Sequence, residues 1–318
     1  RHPHARSTES GLERAPPPHE AALEIEGQNA ILLARVAPVH TAYILGGYRM
    51  DEETPTAAES YAKRALALDP AVAPAHAALG GLAFMTGEPR SAYSHLKQAV
   101  SLGTDDPNDL FMYLLAAAMV GRTSTSRPLV DRLVQADPLN SVAHLCCALQ
   151  GYFEGGIETA LASVRVALRL DPKNLMNRWL GVELMLANGR LEEARALLDE
   201  WRTETPEHPW VLLETANLYA FEGRRAESLS IMARLLGDEQ QRSAFMSDGL
   251  AVLGFAEFYA MNGEIEEALE WLGHGLEMGL INYPLLAEKD PLLESLRSDP
   301  RFQKLMVRVK REWEEFVA

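Results

Sequence analysis

The chain has 318 residues, of which 47% are hydrophobic and 7% aromatic, so it can bury a sizeable core, and its Leu, Ala, Glu and Arg content favours helix over strand. Its formal net charge of -15 at pH 7 excludes a sequence-independent grip on nucleic acid or anionic lipid, both of which need surplus Lys and Arg. No apolar run approaches the roughly 18 residues of a membrane span, and no signal-peptide pattern opens the chain.

Residues 1–20 are rich in Pro, His, Arg and Ser and read as a flexible linker or tail. They begin at Arg1 without an initiator Met, which suggests a segment of a longer protein, and a cytoplasmic location is expected. His2, His4 and His19 read as part of this solvated tail rather than as metal ligands.

From residue 21 a repeat governs the sequence. Gly87, Gly121, Gly155, Gly189 and Gly223 stand at a constant step of 34 residues. With glycine at about 7% per position, four further matches on one period arise by chance with odds on the order of 10^-5. Ala58, Ala92, Ser126, Ala160, Ala194 and Ser228 hold the same step, as small residues must where helices approach closely. Asp69-Pro70, Asp137-Pro138 and Asp171-Pro172 mark helix ends, because proline cannot continue a helix. In one unit, Ala75 to Met85 predicts a first helix, Thr86 to Pro89 a turn and Arg90 to Leu102 a second helix. The second carries one apolar stripe, Ala92, Leu96, Ala99 and Val100.

These residues resemble the tetratricopeptide-repeat family, whose unit is a 34-residue helical hairpin with a small residue in the first helix, a turn glycine and an alanine early in the second. The resemblance implies an all-α, right-handed α-solenoid over residues 21–280, about seven hairpins with the first degenerate. Glu53 replaces the turn glycine of the first hairpin, Leu114 a small residue in the third, and Trp201 an alanine in the fifth, so irregular packing is expected there. Gly263 follows Gly223 by 40 residues, and the polar stretch Gly237 to Ser247 accounts for the slip as a longer connection.

Residues 281–318 predict C-terminal capping helices. Asp290-Pro291 and Asp299-Pro300 each pair an N-capping acid with proline at the first helical position. Phe302, Leu305, Met306, Val309, Trp313 and Phe316 form an apolar stripe that would cover the last hairpin. This tail is similar to the C-terminal end of tetratricopeptide regions attached to bacterial Ser/Thr protein kinases, TolB-like proteins and winged-helix regulators, which implies the docking or sensory half of a signalling protein.

No kinase loop, nucleophile elbow, phosphate-cradling loop or His-Glu-x-x-His pair is present in the sequence, so catalysis is not expected, nor a cofactor or metal. His144, Cys146 and Cys147 read as ordinary residues of a first helix. The segment Arg122 to Pro128 reads as a capped turn rather than a phosphorylation site. The resemblance implies that partners bind a concave face made by the first helices. Projected here, that face selects Tyr43, Phe111, Leu115, Leu145, Leu149, Trp179, Glu183, Trp210, Asn217 and Glu257. An apolar protein or peptide with basic flanks suits it, and neither nucleic acid nor membrane does. Alternatively the groove takes the chain's own N-terminal segment or another copy.

Overall fold

A computed structural model describes residues 29–34, 53–104, 106–239, 242, 245 and 249–316. Among them the regular structure is helical, and no strand occurs. Two compact units are present, the first comprising residues 1–82 and 95–104, the second residues 83–94 and 105–318.

In the first unit, α1 (Glu53–Leu68) stops before Asp69-Pro70 and is followed by α2 (Ala73–Met85), which runs into the second unit over its last turn. Leu33, Ala62, Ala65, Val72, Ala75 and Ala78 form the core of this unit. The C-terminal half of α3 (Pro89–Ser101) lies against α2 so closely that a Cβ on Gly80 would come within 2.5 Å of Leu96 Cγ, and only glycine permits that approach.

The second unit holds the regular hairpins. First helices α4 (Pro107–Val120), α6 (Ser141–Phe153), α8 (Leu175–Ala187), α10 (Pro209–Phe221) and α12 (Gly249–Met261) alternate with second helices α5 (Arg127–Ala136), α7 (Ile157–Leu170), α9 (Leu191–Glu204), α11 (Arg225–Gly237) and α13 (Ile265–Glu277). Side chains finish the helix ends. Asn140 accepts from the Val142 and Ala143 amides, and Asn174 from those of Met176 and Asn177, satisfying donors that a helix start leaves unpaired. The turn glycines adopt the left-handed conformation, with φ of 67° at Gly121 and 82° at Gly155. The small-residue column is fully buried from Ala58 to Ser228. Where that column carries serine the hydroxyl finds an acceptor, Ser228 Oγ donating to the Ala216 carbonyl at 2.8 Å. Of the departures from the repeat, Leu114 and Trp201 are buried, and Glu53 opens α1. Glu239, Arg242 and Phe245 are helical within the longer connection between α11 and α12.

The tail consists of a π-helical turn (Leu285–Lys289), a 3-10 turn (Pro291–Leu296) and α14 (Pro300–Glu315). Both predicted caps form, Asp290 accepting from the Leu292 amide and Asp299 from that of Arg301, each at 2.8 Å. Ser295 Oγ donates to the Ala260 carbonyl and Arg301 pairs with Glu266, so the tail lies on the last hairpin. It also returns to a much earlier one. Asn282 Nδ2 donates to the Ala118 carbonyl at 2.7 Å and the Ile281 amide to the Met119 carbonyl at 2.9 Å. Trp313 Nε1 donates to the Gly121 carbonyl at 3.1 Å, while Arg122 donates to the carbonyls of Trp313 and Phe316 and lies over the Trp313 ring at 4.8 Å. The sequence predicts a tail serving the last hairpin, and this second attachment to the end of α4 is additional. It closes the second unit on itself.

Candidate functional site

Closure changes what the first helices present. Leu115, Leu145 and Leu149, together with Asn217 and Glu257, are buried, so the continuous groove expected along them is not an open surface in this structure. The inner faces of the first helices lie against other first helices and against the tail instead of lining an open channel. Phe111, Trp179, Glu183 and Trp210 are half-buried, and Tyr43 lies outside the described residues.

The structure brings together Trp179, Glu183, Trp210, Asn217 and Glu257 from the expected set. Trp179 of α8 and Trp210 of α10 meet with ring centroids 5.7 Å apart, and the aromatic line continues through Phe245 and Phe255 to Trp271. Beneath the two indoles a cavity of ≈ 40 Å³ is lined by Tyr152, Glu183, Gly254 and Glu257 with apolar neighbours. Two of the lining carboxyls, Glu183 of α8 and Glu257 of α12, meet two more behind the wall, Glu214 of α10 and Asp290 of the tail. Asn217 Nδ2 donates to Glu183 Oε1 at 3.1 Å. Neither carboxyl oxygen of fully buried Glu214 receives a hydrogen bond from a donor among the described residues, nor does Asp290 Oδ2.

Such a cluster cannot be fully ionised. Burial raises the carboxyls of Glu214 and Glu257 well above the usual glutamate range, pushes Glu183 up to about 7, and raises Asp290 as well. Glu183 lies close to Glu214, and Glu257 to Asp290. Two neighbouring buried carboxylates repel, so each pair is relieved when one member is protonated. The same burial, reinforced by these acids, raises the Tyr152 phenol. Among the described residues, no three His, Cys, Asp or Glu side chains are arranged to hold a metal ion. His144 instead lies 2.9 Å from the Pro138 carbonyl, and burial pushes the Cys146 thiol up. No described helix is long and apolar enough to cross a membrane.

The fold with these repeats is matched elsewhere. A crystal structure of a tetratricopeptide repeat protein from Parabacteroides merdae aligns with a TM-score of 0.50 at 17% identity, covering 86% of this chain and 98% of that one. Pseudomonas aeruginosa pilF aligns with a TM-score of 0.48 at 17% identity over 73% of this chain and 99% of that one. YrrB, described as a TPR protein with an unusual peptide-binding site, aligns at 0.44 and 18% identity over 62% and 97%. The tetratricopeptide repeat family matches residues 186–247 directly. Residues 186–247 are thus a tetratricopeptide-repeat region, set in a chain that shares the helical-hairpin fold. No curated protein matches it.

The acid cluster is the part of the site that the sequence reading overlooked as a group. Glu183 and Glu257 are selected there as surface charges, and Glu214 and Asp290 are not selected as site residues. A signal was available, since Glu214 is the single charged residue in Pro209 to Phe221, and Glu257 in Gly249 to Met261.

Proposed function

We propose that the chain is a protein-interaction scaffold or sensor module of a signalling or regulatory protein, and that it docks a peptide or partner helix at the half-buried indole pair of Trp179 and Trp210. The observation that carries this reading is that pair, large apolar surface left partly exposed above an acidic wall. Aromatic anchors commonly supply most of an interface's energy, and the hairpin fold supplies a rigid frame for them. An apolar segment with basic flanks suits the site, because the -15 charge attracts cations and repels acids.

Capture of partners with the intact chain, a Trp179→Ala variant and a Leu139→Ser variant tests it. Leu139 is 78% exposed and lies on a helix-connecting turn. Trp179→Ala is expected to weaken a captured partner by about 2 kcal/mol, chiefly through faster dissociation, while Leu139→Ser leaves it unchanged. Equal effects of the two variants would remove the docking assignment.

A further inference from the structure

We propose that the cavity bounded by Tyr152, Trp179, Glu183, Trp210, Gly254 and Glu257 binds an alkylammonium group, such as the end of a lysine side chain. This deepens the docking reading above by naming the group that the partner's basic flank inserts.

Four observations converge on that chemistry. The first is an excess of acceptors: the carboxyls of Glu183 and Glu257 line the cavity, and behind them both oxygens of Glu214, Oδ2 of Asp290 and Oδ1 of Asn217 are buried without a donor, so a fitting ligand brings donors to the lining acids and no acceptor. An ammonium group brings three N–H donors and nothing else. Charge is the second: no basic side chain lines the cavity among the described residues. The nearby guanidinium of Arg297 is engaged, donating to the Asp290 carbonyl and to the Glu294 carboxylate. Third, two indoles and a phenol stand in the wall, and aromatic faces attract a cation where carboxylates neutralise it.

The fourth is Gly254. It lies inside α12, where glycine is less favourable than alanine, yet a Cβ there would meet nothing within 4 Å. No steric demand of the fold keeps a side chain out of this position, and the space it leaves open belongs to the cavity. At ≈ 40 Å³ the cavity suits a group little larger than a water molecule. A metal ion fits the residues poorly, because the acids are not arranged to chelate one.

Binding exchanges a proton for the cation. The carboxyl that holds the proton, Glu183 or Glu257, releases it to solvent as the ammonium enters, and the resulting carboxylate accepts from an ammonium N–H. The groups facing that event are Tyr152 from α6, Glu183 from α8, Glu214 and Asn217 from α10, Glu257 from α12, and Asp290 with Arg297 from the tail. Affinity therefore rises with pH across the range in which these acids give up protons.

The test titrates the full chain with butylamine, and separately with an N-acetylated, C-amidated Ala-Lys-Ala peptide, following tryptophan emission and the heat of binding. Expected are saturable, mutually competitive binding, release of a proton to buffer, and affinity about fivefold tighter at pH 8 than at pH 6. Gly254→Leu, which fills the cavity and leaves every acid in place, and the double variant Glu183→Gln with Glu257→Gln are each expected to weaken butylamine about tenfold or more. Both should melt no lower than the parent at pH 8, which separates loss of the site from loss of the fold. A peptide much tighter than butylamine assigns the ammonium to a protein partner, and the reverse assigns it to a free amine. Absence of saturation at millimolar butylamine, or equal binding by both variants and the parent, overturns the proposal. Because butylamine needs no protein partner, either result leaves the docking assignment to its own experiment.

Discussion

First and second helices of the same hairpins differ in what they bury. Second helices bury one stripe. In α13, Ala268, Leu269, Leu272 and Leu276 face inward while Glu266, Glu267 and Glu270 lie in solvent. First helices are enclosed on almost every side, and in α4 the buried residues run without a break from Tyr113 to Val120. A helix apolar all round has neighbours all round. The inner face of the repeats in the second unit is thus interior, closed by other first helices and by the tail.

The largest test of this contrast is mutational. Leu149→Ala in α6, at a fully buried inner position, is expected to cost about 3 kcal/mol in urea unfolding, and Arg169→Ala on the exposed face of α7 less than about 0.5 kcal/mol. An inner face open to solvent would make the two nearly equal.

A second test uses the buried acids. Each has a raised pKa in the folded state, so below the ordinary glutamate value of 4.5 folded and unfolded chains are both protonated and no penalty exists. As pH rises the unfolded chain ionises first, and stability falls. For Glu183 the fall is complete above about pH 7, and the raised Glu214 and Glu257 carboxyls add to it in the same direction. Glu214→Gln is expected to stabilise the protein by about 2 kcal/mol at pH 8 and by nothing measurable at pH 4, read from thermal melts. Destabilisation at pH 8 would mean that the cluster is ionised and paired.

The smallest effect belongs to the turns. Gly155 has φ 82° and no neighbour within 4 Å of a Cβ, so Gly155→Val meets backbone strain alone and is expected to cost about 1 kcal/mol or more in melting experiments. Unchanged melting would show that the turn relaxes.

The hairpins were legible because their requirements are local. A turn glycine, a small residue at a helix crossing and an Asp-Pro stop each act within a few residues, and the step of 34 multiplies the signal. Trp179, Glu183 and Glu257 were found by projecting one face of the first helices. Their surroundings were not, because the rotation from one hairpin to the next is set by packing and has no column of its own in the sequence. The tail illustrates this: the stripe from Phe302 to Phe316 announces something to cover, while its second partner, Gly121, looks like any other turn glycine. Apolar first helices carrying single acids were the available clue that these faces are buried.

The return of the tail to Gly121 also bears on how the chain folds. In an open stack each hairpin touches only its neighbours, so unfolding can begin at either end and spread. Here a hydrogen bond joins Trp313 to Gly121 across 192 residues, and another joins Asn282 to Ala118 across 164. Those links tie the hairpins between them into a loop, so fraying from the last hairpin requires the tail to let go first. Closing so long a loop costs entropy before the contacts repay it, and the formed hairpins lower that cost by holding the two ends near each other. Unfolding of the second unit is accordingly expected to be more concerted than that of an open repeat array.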